Sequence, residues 1–454
     1  MFTNKMSWTR DLFHRIFTSP LIRRIIKNTS YLFSATGISA VFSLVQGILA
    51  ARLLGPASFG VLGTITVFTS TVNRFASFRM SELVIRYVGQ YQELGERDKA
   101  AATFKLAALL ETGSSLFAYL LIWLLAPLGA RYFSHDSNLT LWYLIYGSVV
   151  LANFMYESST GLLQVLDKFF SMSVILALQS AVTLVIIGVA YITKGGLISV
   201  VFAYLIGKIV GVIGTTALAL IQASKVWGRH WWCTPLRSVA DQRRSLLTFA
   251  FSTNFSGTIS LVAKDSEVLW VSAFLGTIEA GYYKLALSLV NLLQLPVSPM
   301  PITTYPELSR EVARKSWANV RYVLRQGSLL SGAYSVPVTL ALILFGRWVI
   351  ATVYDPSYLP AYPALVLLLF GYTFVNIFYW NRVALLALSH PVFPTVVNFV
   401  GMVLKIGAIF LLVSHFGYLT FAGLLSAYYG FTVGLAVIRV IHDLRTRSRF
   451  NETT

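Results

Sequence analysis

The chain keeps returning to long stretches without charge. Residues 31–51 and 417–438 carry no Asp, Glu, Lys or Arg, and about ten comparable stretches lie between them. A hydrocarbon core about 30 Å thick takes about 20 apolar residues to cross as a helix. No water is present there to hydrogen-bond the backbone, so each crossing must satisfy its own amides, as a helix does. With 56% hydrophobic and 12% charged residues over 454 positions, little chain remains for a soluble domain. The expected fold is an all-α polytopic membrane protein with about twelve, at most about fourteen, transmembrane helices.

The apolar spans fall at 29–51, 57–80, 104–126, 139–160, 171–193, 197–222, 247–272, 280–304, 326–345, 361–386, 392–413 and 417–438. Most of the 36 basic residues then lie in alternate loops and at the termini, whereas the opposite loops hold just Arg52, Arg131, Lys194 and Arg347. Basic loops stay cytoplasmic. This predicts a multi-pass protein of the cytoplasmic (inner) cell membrane with both termini inside. The net charge of +18 is therefore a topology signal, not the clustered stripe that nucleic acid requires. A lone cysteine, Cys233, excludes an internal disulfide, an iron–sulfur cluster or a cysteine-based zinc site. It reads as a loop thiol beside Trp231 and Trp232.

Residues 1–28 are basic, and Leu12, Phe13, Ile16, Phe17, Leu21, Ile22, Ile25 and Ile26 recur at helical spacing. Such a helix favours lying on an anionic cytoplasmic leaflet. Asp11 and the full-length span behind it argue against a transit peptide. Sliding the chain on itself by 221 residues puts Leu54-Gly55 on Leu275-Gly276 and Gly60 on Gly281, each in a short turn between spans. Six spans per half keep one orientation. Two six-helix lobes, 29–222 and 247–438, are then related by a parallel pseudo-twofold axis along the membrane normal. Residues 223–246 link them, and 439–454 form a basic cytoplasmic tail. Chance matching of glycine-rich turns is the competing explanation.

The stretch Ala51-Arg52-Leu53-Leu54-Gly55-Pro56-Ala57-Ser58-Phe59-Gly60 resembles the end of the first span in polysaccharide-type, Wzx-like flippases. These belong to the superfamily that includes the lipid II flippase and the multidrug and toxin extruders. Residues 267–276 and the run Gly281-Tyr282-Tyr283-Lys284-Leu285-Ala286 resemble the seventh and eighth spans of that family. Thr304-Tyr305-Pro306-Glu307-Leu308-Ser309 is similar to the Pro-x-Leu-Ser stretch beyond them. Members often carry Asp where this chain has Glu267, and Asp265 competes for the equivalence. The resemblance implies alternating access and export of an anionic polyprenyl-diphosphate-linked oligosaccharide, alongside polysaccharide-assembly enzymes. Ion gradient, membrane potential or downstream consumption are the open choices of drive, so a coupling ion is one candidate partner.

Charges inside the spans point the same way. A charge at the centre of a helix costs about 2.5–3.5 kcal/mol on insertion scales, so it should face a polar cavity or a partner. The candidates for a substrate-binding cavity are Arg74, Lys208, Lys264, Asp265, Glu267, Lys284 and Lys405. Structural readings stand beside them. Lys264 and Glu267, at i,i+3, would neutralise one another. Lys208 sits among Gly207 and Gly211, where helices approach closely. Lys284, like Arg79, Arg382 and Glu157, lies near a span end where long side chains snorkel. Within the spans bases outnumber acids, which suits a diphosphate. Asn153, Tyr156, Asn291, Asn376, Tyr379 and Asn398 offer groups for a sugar, or for neighbouring helices.

Pro296, Pro299 and Pro301 should break or bend the end of the eighth span, and Pro337 the ninth. No phosphate-binding Gly-x-x-x-x-Gly-Lys loop or His-Glu-x-x-His spacing occurs, so no catalytic residues, metal or cofactor are expected. Two rivals remain: a cation-coupled multidrug extruder, disfavoured by a positive bundle, and a membrane polymerase or glycosyltransferase, disfavoured by short external loops.

Overall fold

A computed structural model describes residues 20–76, 80–237, 261–390 and 392–452. The segment 1–19, Arg79, residues 238–246 of the linker and the first part of the seventh span, 247–260, lie outside the described residues. Every regular element among the described residues is helical. Nine of these helices are long and apolar enough to cross a bilayer. Gly37–Ala76, counted as one, covers two of the expected spans. Glu267–Leu275 and Thr277–Gln294 lie where the seventh and eighth are expected.

The turn between the first two spans is made by Gly55, at φ 67° and ψ 174°, inside the Pro20–Ala76 helix. Its counterpart at the offset of 221, Gly276, sits at φ 111° and ψ 179° between Glu267–Leu275 and Thr277–Gln294. Only glycine adopts such angles without clash between Cβ and the backbone. The two glycines that align in the sequence thus make two turns of the same kind.

Several helices outrun their apolar spans. Arg97–Phe133, Trp317–Val349 and Leu419–Glu452 continue into charged sequence at one end or both. The fourth span, expected unbroken, is interrupted at 153–155, and the tenth at 378–380. Buried polar groups receive the backbone freed by each break, as a membrane interior demands. Glu111 accepts the amides of Glu157 at 2.6 Å and Ser158 at 2.8 Å, together with the Ser158 hydroxyl at 2.6 Å. This places a carboxylate at the N-terminus of Tyr156–Val165, where the helix dipole favours an anion. In the tenth span Ser331 donates to the Asn376 carbonyl at 2.5 Å. The Asn376 amide reaches Leu293 O at 3.1 Å and Ser335 Oγ at 3.2 Å, so Asn376 serves neighbouring helices. Pro296 and Pro299 follow the end of Thr277–Gln294, and Pro301 falls in the first turn of a new helix, Met300–Ala313. Pro337 does not interrupt Trp317–Val349.

The placement of the apolar cores sets the shape. One joins both halves of the chain, packing Ala50, Phe59 and Leu62 with Tyr283, Leu285, Tyr358 and Phe421. Another, around Leu83, Phe104, Leu162 and Ala219, draws on residues 80–231 alone. A third, around Leu308, Leu324, Trp380 and Val440, draws on 297–444 alone. The halves share a core at the end bearing the Gly55 and Gly276 turns and have separate cores toward the basic loops.

Candidate substrate cleft

At the shared end the helices after the two glycine turns touch backbone to backbone. A Cβ built on Gly60 would lie 1.7 Å from the carbonyl oxygen of Thr277, and one on Gly281 would lie 2.1 Å from that of Pro56. Since 277 and 281 are the counterparts of 56 and 60, the contact is reciprocal, as an isologous twofold interface requires. The next turn of this face brings Gly63 against the stem of Lys284, a Cβ there falling 2.8 Å from Lys284 Cδ. Lys284 therefore turns inward and does not snorkel: its ammonium lies 4.2 Å from the centre of the Phe59 ring, and 3.5 Å from Phe59 O.

Polar bonds between the halves close the same end. Arg52 donates from Nε to Tyr354 O at 2.7 Å and from Nη2 to Thr352 O. Tyr358 donates to Ala51 O at 3.0 Å, and His135 Nε2 to Ser272 O at 2.9 Å. Beside them, hydrogen bonds from the Ser357 side chain and amide hold the Asp355 carboxyl below the usual carboxylate range, with Arg52 adding to the effect.

Away from this end two polar sites lie between the halves. Arg74, on the second span, is ion-paired with Asp265 of the seventh, and both side chains are more than one-third exposed (53% and 37%). A cavity of about 470 Å³ opens between the first helix and Thr277–Gln294, with Ser39, Ser43, Gly47, Ser288 and Asn291 on its walls. At the offset of 221, Leu44 and Leu295, which also line this cavity, correspond to Asp265 and Arg74. One side of the interface thus carries a charge pair. The equivalent other side is uncharged and bears hydroxyl and amide groups.

The other candidates separate from these. Asp265 ends a π-helical stretch, Leu261–Asp265, and a turn at Ser266 precedes Glu267–Leu275. Residues two apart on a helix lie on different faces, so the two carboxylates face different ways. Glu267 is buried and ion-paired with Lys405, which also donates to Ala263 O at 2.5 Å. Tyr283 donates to the second Glu267 oxygen at 2.8 Å. The expected Lys264–Glu267 pair is replaced by this long-range one, and Lys405, the lone charge of its span in the sequence, is buried with a partner. Lys264 is half-buried and forms no ion pair or hydrogen bond among the described residues. Gly207 and Gly211 pack on Thr183 and Gln179. Lys208 instead stands 5.6 Å from the Tyr156 ring, apart from the interface pair. Sequence reasoning does not find the role of Glu111, because a helix N-terminus in mid-span leaves no local mark in the sequence.

The chain is similar to known proteins in sequence and in fold. A family described as polysaccharide biosynthesis protein matches residues 25–312. The inner membrane protein YghQ of Escherichia coli (strain K12) is 23% identical over 349 residues, covering 76% of this chain and 97% of its own. Among solved structures, an inward-facing multidrug resistance MATE family transporter of the MOP superfamily superposes with a TM-score of 0.70 at 13% identity, covering 90% of this chain and 96% of that one. The lipid II flippase MurJ, in an inward closed conformation, gives 0.69 at 18% identity, covering 92% and 90%. The fold is that of these transporters, and the chain, a multi-pass membrane protein, belongs to the polysaccharide biosynthesis protein family.

Proposed function

We propose that this protein is a flippase that moves a polyprenyl-diphosphate-linked oligosaccharide across the cytoplasmic membrane by alternating access. Lobes 29–222 and 247–438, joined through 223–246, rock so that their shared end is closed in one state and parted in the other. One observation supports this above the rest: the halves meet through a reciprocal glycine contact at one end and have separate cores at the other. Between them lie a cation for a diphosphate and an uncharged, hydroxyl-bearing cavity for sugar. Arginine binds phosphate oxygens through charge-assisted, often bidentate hydrogen bonds. Asp265 holds Arg74 in the unloaded state, and the diphosphate displaces it.

Arg74→Gln is expected to lower flipping of a fluorescent polyprenyl-diphosphate sugar in proteoliposomes at least tenfold, with near-normal protein yield. The pair is substantially exposed, and exposed pairs contribute only about 0–1 kcal/mol to stability. Asp265→Asn, which frees the guanidinium, should retain transport. Undiminished flipping by Arg74→Gln would remove the diphosphate site, and export of organic cations instead would favour the extruder.

The basic loops, both termini and Cys233 are assigned to the cytoplasm on the loop charge asymmetry. Cys233 is exposed. A membrane-impermeant maleimide should label it in inverted vesicles and leave it untouched in intact cells. Labelling from outside reverses the orientation.

A further inference from the structure

A groove of about 650 Å³ lies on the flank of the second half, lined by Arg321, Arg325, Leu329 and Gly332 of Trp317–Val349, by Trp380, and by Ile441 of the last helix. All of its lining falls between 321 and 444, so it is separate from the cleft that holds Arg74 and Asp265. We propose that it binds one anionic phospholipid of the surrounding bilayer, the phosphate held by Arg321 and Arg325 and an acyl chain laid along the groove.

The two arginines sit at i,i+4 on one helix face, where like charges repel. Both are exposed, and neither forms an ion pair or hydrogen bond among the described residues. Four other arginines of the second half are engaged: Arg310 with Glu307 at 3.2 Å, Arg314 with Glu311 at 3.1 Å, Arg439 with Asp443 at 3.3 Å, and Arg447 with Leu388 O at 3.2 Å. A pair of unmatched cations at the mouth of an apolar groove calls for an anion with an apolar tail.

Depth agrees with a lipid. No charge occurs from 326 to 346. Those residues rise about 30 Å as a helix, the thickness of the hydrocarbon core. Arg325 and Arg321 therefore stand at headgroup level, while Leu329 and Gly332 line the groove at acyl-chain depth. Gly332 keeps it open, since a Cβ there would meet only Ile377 at 3.7 Å. Trp380 donates from Nε1 to Ser328 at 2.7 Å, which fixes its ring in the wall. A free phosphate would fill only the mouth, whereas a phospholipid fills both parts.

The test titrates full-length protein in detergent with brominated phosphatidylglycerol or brominated phosphatidylcholine. Quenching of Trp380 is read as the difference between wild type and Trp380→Phe. Phosphatidylglycerol should quench at a concentration at least tenfold below phosphatidylcholine, and Arg321→Gln with Arg325→Gln should erase that preference. Gly332→Leu, which fills the groove and keeps both arginines, should abolish the Trp380 component. Equal quenching by the two lipids, or an unchanged preference in the double glutamine variant, overturns the proposal. Displacement of phosphatidylglycerol by an equimolar polyprenyl diphosphate assigns the groove to cargo and overturns it as well. The two arginines are exposed, so their replacement leaves the fold intact for this measurement.

Discussion

Leucine at Gly60 is expected to force apart the end where the halves meet and to lower transport at least tenfold. The group in the way is backbone: a Cβ at Gly60 would lie 1.7 Å from Thr277 O, 2.7 Å from its carbonyl carbon and 3.0 Å from Gly281 N. No rotamer change relieves that overlap, so the helices must separate. Overpacking of this kind costs about 1–3 kcal/mol. Applied to one of two conformations, that moves the equilibrium about 5–150-fold toward the other. Gly281→Leu should act alike, because its own Cβ would fall 2.1 Å from Pro56 O.

The readout is a crosslink. Arg52 bonds to Thr352 O, and both side chains are exposed. Cysteines at these positions, in a Cys233→Ser background, should be bridged by a short bis-maleimide, and the bridge should halt transport. Adding Gly60→Leu should suppress the bridge, whereas Gly188→Ala, with nothing within 4 Å of the added methyl, should leave both bridge and transport unchanged. Wild-type crosslinking and transport in Gly60→Leu would show that the reciprocal contact does not govern closure.

The second large effect concerns stability. Lys405→Ala or Glu267→Gln alone should lower folded yield and the unfolding temperature sharply. Each strands a buried charge, which costs about 3–5 kcal/mol. The Lys405→Leu, Glu267→Gln double variant should recover most of the loss. Apolar or neutral replacements of a whole buried pair are often tolerated, and glutamine still accepts from the Tyr283 hydroxyl that now bonds Glu267 at 2.8 Å. A thermal melt of the purified variants decides it. Equal stability of the single and double variants would mean that the pair is not held as a buried charge couple. Arg74→Gln provides the contrast, since it should affect transport with little change in melting.

Hydropathy determined the class of this protein from sequence, because the cost of an unsatisfied amide in hydrocarbon falls on each residue and leaves a local record. The repeat was legible for a similar reason: a positive φ at Gly55 and Gly276, and contact too close for a Cβ at Gly60 and Gly281, admit one residue type. Charge partners left no such record. Asp265 and Glu267 are two positions apart, yet one pairs with Arg74, 191 residues away, and the other with Lys405, 138 residues away. The i,i+3 rule assigned Glu267 to Lys264 because it sees only one helix. The packing of separate spans made the choice instead, since electrostatic energy depends on distance in space and burial, and neither is fixed until the bundle has assembled.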